Sequence, residues 1–572
     1  MANFLLSDFD GWAEGNTGNH RQQQLQFVDT VAWTISSHAI KAGFDYRRLR
    51  PLDTLFPYGP YSYFSGIAGA LTDTVALEQL HSDESASVHP LVQNLSFFVQ
   101  DTWQATPKLT LVYGVRWDYN PPPYDTNGHP LYTITNLNDP ANAAYAPAGT
   151  PLWSATHGNF APRVGVAYSF RKTAGRELVL HAGAGIFYDL GNNTGVSGEW
   201  APPYFQSRLL YNVPFPLSAA NAAPQPFTLT PPYGTARAFD PQLKLPRVYQ
   251  WNVSLQQSLG SKQFVSATYL GSAGRNLLDD EFLTPGLASE GLNPDFGGGI
   301  LVTTNNAYSN YDALQLEYQR RLSNGLQVLV AYSWAHALDN SSGAAQPAPW
   351  HTIYNPDWDY GSGDADVRHS FSAAITYNVP SPGKSWALRT IASNWALDSL
   401  FRANSALPIN VLTGSDTWDL STFAVVADLY QRPDVVPNQS FYLYGSQYPG
   451  GKAINPAAFQ DPASGTQGNL GRNALRGFRA WEEDFAIRRE FPIHERVKLQ
   501  FRGEFFNIFN HPNFGDPGTQ VSETNALTNP LFGRSTTTLA ESFSAGAESG
   551  TFNSLYNIGG PRSIQLALKL IF

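Results

Sequence analysis

The sequence predicts an all-β chain that crosses a membrane as an outer-membrane antiparallel β-barrel. Three observations carry that expectation. Long runs alternate apolar and polar residues with a period of two. The connections between runs are by turns short and very long. Charge is scarce, whereas glycine and aromatic residues are plentiful.

The alternation is clearest at the end of the chain. In 562–572, Ile564, Leu566, Leu568, Leu570 and Phe572 share one face, and Ser563, Gln565, Ala567 and Lys569 share the other. A membrane barrel needs that division, with apolar side chains toward lipid and polar ones toward the lumen. Charged residues are only 14% of the chain, against roughly 25% in an average soluble domain. In their place stand 48 Gly, 28 Tyr, 35 Phe and 14 Trp, a composition suited to a lipid-facing sheet with interfacial aromatic girdles. A secreted carbohydrate-binding sheet protein shares this composition, so composition alone does not choose. No run of 18 or more apolar residues occurs, which argues against membrane helices. Barrel strands escape that test because only half their residues face lipid.

Taken in order, residues 1–20 are polar and glycine-rich and read as an extracellular loop or a truncated strand. Runs 22–35 and 38–48 form a hairpin around Ser36-Ser37, with Ile40, Phe44 and Tyr46 opposite Lys41, Asp45 and Arg47. A connection of about 40 residues leads to 91–103 and then 108–119, where Leu109, Leu111, Tyr113, Val115 and Trp117 oppose Thr110, Val112, Gly114, Arg116 and Asp118. The figure recurs through 161–170 and 177–188, 247–258 and 262–271, 311–322 and 325–336, 367–379 and 390–404, and 481–491 and 495–506. Run 562–572 closes the series. These are fifteen strand candidates.

The connections inside each pair are short. Those between later pairs span 120–159, 190–246, 272–310, 337–366, 405–480 and 507–561. Compact soluble folds rarely hold structureless loops beyond about 12–15 residues. Membrane barrels place short turns on the periplasmic side and long loops outside. Counting back from a last strand that ends in the periplasm puts residues 1–20 outside. Single-chain bacterial barrels have even strand numbers, so the odd count leads to the expectation that further strands lie upstream. The segment 1–8 has neither a basic region nor a long apolar core, so the export signal is also expected upstream of Met1.

Several stretches resemble the Oar-like TonB-dependent receptors of acidobacterial type. They are 97–103 with 109–116, 161–167, 183–189, 310–315 with 332–339, Gly468-Asn469-Leu470-Gly471-Arg472-Asn473, and Phe501-Arg502-Gly503-Glu504-Phe505-Phe506-Asn507-Ile508-Phe509-Asn510-His511-Pro512-Asn513-Phe514-Gly515. The resemblance spans residues from about 20 to 572. It implies a 22-stranded barrel of which this chain supplies the C-terminal fifteen strands. It also implies a plug and an energy-coupling box in an N-terminal region absent here. Residues 21–572 are thus expected to be a partial receptor barrel, and coupling to TonB is expected only through that region.

Seven residues are candidates for the lumen wall: Arg116, Asp118, Gln315, Glu317, Lys498, Arg502 and Glu504. They either guide a solute or meet a plug, or they pair with one another to make burial of charge tolerable. The aromatics Tyr113, Trp117, Tyr332, Trp334 and Phe572 read as girdle residues, and Asn510-His511-Pro512-Asn513 as a turn where the chain leaves the membrane. The loop 357–366 spaces Asp357, Asp359, Asp364 and Asp366 around glycines, and close-set oxygen ligands hold Ca²⁺ in other proteins. The spacing is not that of an EF-hand, and no metal ligand is assigned. Aromatic-rich loops at 58–64, Trp153, 200–205 and 441–448 suit either ligand contact or packing among loops.

No nucleophile elbow, phosphate loop or His-Glu-x-x-His motif occurs, so the reading is not an enzyme and has no cofactor. A formal charge of −10 without a basic tract gives no support to nucleic-acid binding. The absence of cysteine excludes thiolate chemistry. The expected partners are outer-membrane lipid, the TonB complex and an unidentified extracellular ligand. The leading function is an outer-membrane receptor barrel for uptake or surface recognition. Its alternatives are a passive porin-like or structural barrel and a secreted carbohydrate-binding β protein.

Overall fold

The computed structural model describes residues 2–6, 9–14, 18–54, 57–234, 236–283, 293–296, 299–342, 349–351, 356–381, 391–413, 432–463, 468–494, 497–518, 526–540 and 559–572. Each of the fifteen alternating runs forms a long strand. They are β1 (Asn19–Ile35), β2 (His38–Thr54), β3 (Pro90–Thr106), β4 (Leu109–Tyr119), β5 (Phe160–Arg171), β6 (Leu178–Tyr188), β7 (Arg247–Ser258), β8 (Gln263–Leu283), β9 (Ile300–Ser323), β10 (Leu326–Asp339), β11 (His369–Asn378), β12 (Trp395–Asn404), β13 (Ala480–His494), β14 (Val497–Phe506) and β15 (Ser563–Ile571). Each pairs antiparallel with the next. The sheet has nineteen strands in all. The other four, Tyr124–Asp125, Ala236–Phe239, Pro349–His351 and Gly361–Ser362, are short segments lent by the connections.

Because each of the fifteen long strands runs antiparallel to the next, successive connections fall at opposite ends. One end carries the short turns 36–37, 107–108, 172–177, 259–262 and 324–325; the described parts of the long loops lie at the other. Turn chemistry fits the short end. Asn324 and Gly325 both have positive φ, 52° and 77°, as a two-residue type I′ hairpin requires. A Cβ at Gly325 would lie 2.5 Å from the Asn378 carbonyl of the adjacent strand. Within the wall, Gly43 sits opposite Phe98, and a Cβ there would lie 2.9 Å from the Phe98 ring. The aromatic ring covers the glycine backbone that a side chain would displace.

Register places the apolar alternates on one continuous face. Leu25, Phe27, Trp33, Phe44, Phe97, Tyr113, Val164, Trp251, Val253, Leu316, Trp334, Ile375, Leu566 and Leu568 all belong to it, and all are exposed. Leu566 and Leu568 are 69% and 70% exposed, values no soluble sandwich core would tolerate. The buried hydrophobic cores lie in the connections and in the outer ends of β8 and β9. One gathers Ile134, Phe296, Ile300 and Val302; a second Leu131, Trp153, Tyr204 and Phe239; a third Ile409, Val411, Ile454, Phe459, Leu475 and Phe532. The wall is stabilised by its hydrogen-bonded ladder and its apolar outer face, the lobes by apolar burial of the ordinary kind.

Three expectations change. Residues 1–20 were expected to be an extracellular loop or a truncated strand; instead Ala2–Leu6 and Phe9–Glu14 are two strands that pair with each other, and Ala2–Leu6 also runs parallel to Tyr58–Phe64. With Thr74–Asp83 and Phe205–Pro214 they make a five-stranded sheet at the long-loop end. Its partners are remote in sequence, which local polarity could not reveal. The connection 272–310 was expected to be loop, yet β8 and β9 continue as a paired ribbon to Leu283 and Ile300. There buried Asp280 and Glu281 accept hydrogen bonds from Thr303 and Thr304, at 2.6 and 3.2 Å, so polar pairing replaces apolar alternation. Finally, of the expected run 390–404, residue 390 lies outside the described residues, 391–394 are not strand, and β12 begins at Trp395. Among the described residues no pairing joins β15 to β1, and every residue of β1 is exposed.

Candidate functional site

The seven lumen candidates all alternate with residues of the apolar face and therefore lie on the opposite, polar face. They fall into three separate groups. On β4, Arg116 donates through Nε to Asp118 Oδ1 at 2.8 Å and through a terminal nitrogen to Ser96 Oγ at 2.6 Å. Asp45 lies 3.9 Å from Arg116 and 3.8 Å from Arg47. These residues line a cavity of about 240 Å³ with Arg163 and Phe187, whose ring lies 4.2 Å from the Arg163 guanidinium. On β9, Gln315 and Glu317 stand across the register from Thr268 and Ser266. They are far along the sheet from the other groups.

The third group is the richest. Lys498 reaches Glu490 across the ladder at 3.2 Å, and Arg502 reaches Glu504 at 2.8 Å. Arg502 and Glu504 line a second cavity, of about 430 Å³, between β11 and β14. Its remaining charges are Asp398, Arg402, Glu482 and Asp484. Arg488, opposite Arg502 in register, pairs with Asp398 at 2.8 Å, and Arg402 lies 3.7 Å from Glu482. Five of the seven candidates are thus ion-paired, and the like charges Arg488 and Arg502 are each answered by a carboxylate. The sequence reading missed Asp398, Arg402, Glu482, Asp484 and Arg488. The signal was present, because 482, 484, 488 and 490 alternate within one run.

The mouth above this wall is organised by arginines. Arg472, from the Gly468–Asn473 stretch, donates to the Asp339 carboxylate at 2.8 Å, to the Asp359 carbonyl at 3.0 Å and to Asp364 at 3.2 Å. Arg476 holds the Asp366 backbone carbonyl at 2.7 Å and its carboxylate at 2.5 Å. Arg432 bonds the Asp359 carboxylate and, at 3.0 Å, the Trp358 carbonyl. Asp357 accepts from the Tyr308 hydroxyl at 2.7 Å. All four carboxylates of the 357–366 loop therefore have protein donors. Three guanidinium forks tie that loop to the 405–479 connection, and each of its carboxylates gives at least one oxygen to a protein donor.

The exit turn after β14 is equally built. Asn507, at φ 46°, accepts from the His511 amide at 3.0 Å and donates to Gly560 O at 2.9 Å. Asn513 exchanges two hydrogen bonds with the Trp481 backbone, at 3.0 and 3.1 Å. Of the aromatic loops, Trp153 is buried 5.4 Å from Phe239, and Phe441 stacks on Phe459 at 5.6 Å. Packing accounts for both, while Tyr444 stays 70% exposed. The girdle aromatics Tyr113, Trp117, Tyr332 and Trp334 all lie on the apolar face.

A family match and one solved structure agree with this architecture. The family described as "Outer membrane beta barrel domain" matches residues 2–556. Among solved structures, the outer membrane transporter YddB from Escherichia coli is similar with a TM-score of 0.52 at 10% identity, covering 100% of this chain and 58% of that one. The FrpB iron transporter from Neisseria meningitidis gives a TM-score of 0.45 at 10% identity, covering 97% and 56%. The copper transporter OprC gives 0.43 at 12% identity, covering 97% and 57%. The chain thus spans little more than half the length of the transporters it resembles. No curated protein matches it.

Proposed function

Because the chain belongs to the outer membrane beta barrel domain family, we propose that it is the barrel portion of a TonB-dependent receptor of Oar-like type, serving uptake or surface recognition of an extracellular ligand. It resides in the outer membrane. The observation that carries the reading is the division of one long sheet into an exposed apolar face and a polar face lined with paired charges, with the described lobes at one end. Its work is non-covalent: the lobes capture a solute, and the polar face offers donors and acceptors to that solute or to a plug. The lumen role of Arg116, Asp118, Gln315, Glu317, Lys498, Arg502 and Glu504 belongs to this proposal. So does a larger wall, in which further strands meet the free edges of β1 and β15 and a plug with a coupling box engages TonB.

The test has two parts. Refolded into vesicles, the chain should run as a heat-modifiable band, which a secreted soluble protein would not do. The gene upstream of Met1 should encode a plug and a coupling box. A signal peptide followed directly by strands would replace the receptor with a passive porin-like barrel.

A further inference from the structure

The sequence has no basic tract, yet the fold assembles one. Four neighbouring short turns, between β3 and β4, β5 and β6, β7 and β8, and at the end of β9, bring together Lys108, Arg171, Lys172, Arg176, Lys262 and Arg321, all exposed. The turns are joined into one rim by backbone hydrogen bonds, from Ser169 N to Lys108 O at 2.9 Å, Gly260 N to Gly175 O at 2.8 Å and Arg321 N to Lys262 O at 2.8 Å. Among the described residues none of these six cations forms an ion pair. The acid within these turns, Glu177, is bound by the Ser258 hydroxyl and nearby turn amides. Next to the cations, Phe170, Leu259 and Leu322 are 50%, 45% and 51% exposed on the apolar face.

We propose that this rim binds the phosphate-bearing headgroups of anionic phospholipid in the leaflet at the short-turn end. The inference rests on the membrane reading above and adds a lipid preference to it. Cations at the water boundary beside apolar side chains at the acyl boundary are the arrangement that holds an anionic lipid at the headgroup level. The unpaired excess is the second part of the argument. In a chain of net charge −10, six cations on adjacent turns, none ion-paired among the described residues although Lys172 donates to the Pro107 carbonyl, give this sector a field of the opposite sign to the whole. Lipid is the occupant because the apolar half of the surface is continuous with the membrane-facing band.

The experiment uses the full chain in phosphatidylcholine bilayers with trace spin-labelled phosphatidylglycerol or spin-labelled phosphatidylcholine, reading the motionally restricted fraction of each. Phosphatidylglycerol should be preferred by about fivefold or more, the factor of a single cationic contact. The preference should vanish in the variant carrying Lys108→Gln, Arg171→Gln, Lys172→Gln, Arg176→Gln, Lys262→Gln and Arg321→Gln. Should that variant fail to give a heat-modifiable band, a salt series on the native chain decides. The preference should then collapse toward about 1 M salt, where the screening length is about 3 Å. Equal uptake of the two lipids, a preference unmoved by salt or by the substitutions, or stronger retention on peptidoglycan than on vesicles overturns the proposal. A native chain that never yields the heat-modifiable band sinks the membrane reading itself, a result distinct from a loss of lipid preference.

Discussion

His81 stands in the small sheet at the long-loop end, its ring 4.8 Å from Tyr61 and 5.1 Å from Phe205. Burial among these rings holds its pKa down at about 4. Between the usual value of 6.5 and about 4, the unfolded chain binds a proton that the folded sheet refuses. Its contribution to stability is therefore complete above pH 6.5 and lost as pH falls toward 4. The neighbouring Glu78 acts in the opposite sense, since burial raises its carboxyl and the stability it contributes is lost as pH rises through that raised value. His81→Phe should remove the acid-side loss while keeping the packing, so proteolysis of residues 57–83 between pH 6.5 and 4.5 should accelerate in the native chain and slow in the variant, where the raised carboxyls of Glu78 and Asp83 remain. None of this was legible in the sequence. His81 lies in a run that reads as connection, and the aromatic cage arrives from strands far away in the chain. The polar-face residues show the opposite case, because alternation alone assigned Arg116 or Glu504 to its face. The pairing partners needed the register.

At the level of elements, all fifteen strands were readable, since each has to divide its side chains between two surroundings and so keeps a strict period of two. The β8–β9 ribbon was not readable beyond its apolar portion, because its outer half pairs through buried acids and threonines and loses the alternation that identifies a strand. The arginine straps are similarly hidden. Arg472 and Asp339 are 133 residues apart, and the acidic loop read by itself suggested a cation site. Arg472→Ala would leave the half-buried Asp339 carboxylate without its main partner, at a cost of roughly 3–5 kcal/mol to the local fold. The expected outcome is faster protease cleavage within 340–368 and 468–478, with the heat-modifiable band unchanged. Arg472→Lys should recover little, because an ammonium cannot bridge the carbonyl and carboxylate that the fork holds together. A cleavage rate equal to that of the native chain would show that the strap does not hold the loop.

For the whole molecule, the deciding property is that the two faces of the wall meet different solvents. Leu568 and Ala567 are adjacent in the middle of β15 and point to opposite sides, so they make a matched pair. Leu568→Arg places a cation near mid-bilayer and should destabilise the folded barrel by roughly 2–4 kcal/mol. Ala567→Arg, on the polar face, should cost under about 1 kcal/mol, both read as the folded fraction across a urea series in vesicles. Equal losses would contradict the face assignment. The same division was visible from Ile564 to Phe572 in the bare sequence, whereas the self-contained interiors of the loop lobes were not, since their residues come from connections that show no period. The apolar clusters around Phe239 and Phe459 owe nothing to lipid, and the ribbon beneath them owes little to water. Each lobe is therefore free to drift, enlarge or be exchanged in descent without disturbing the staves that carry it, and novelty in recognition should accumulate above the membrane long before the wall itself changes.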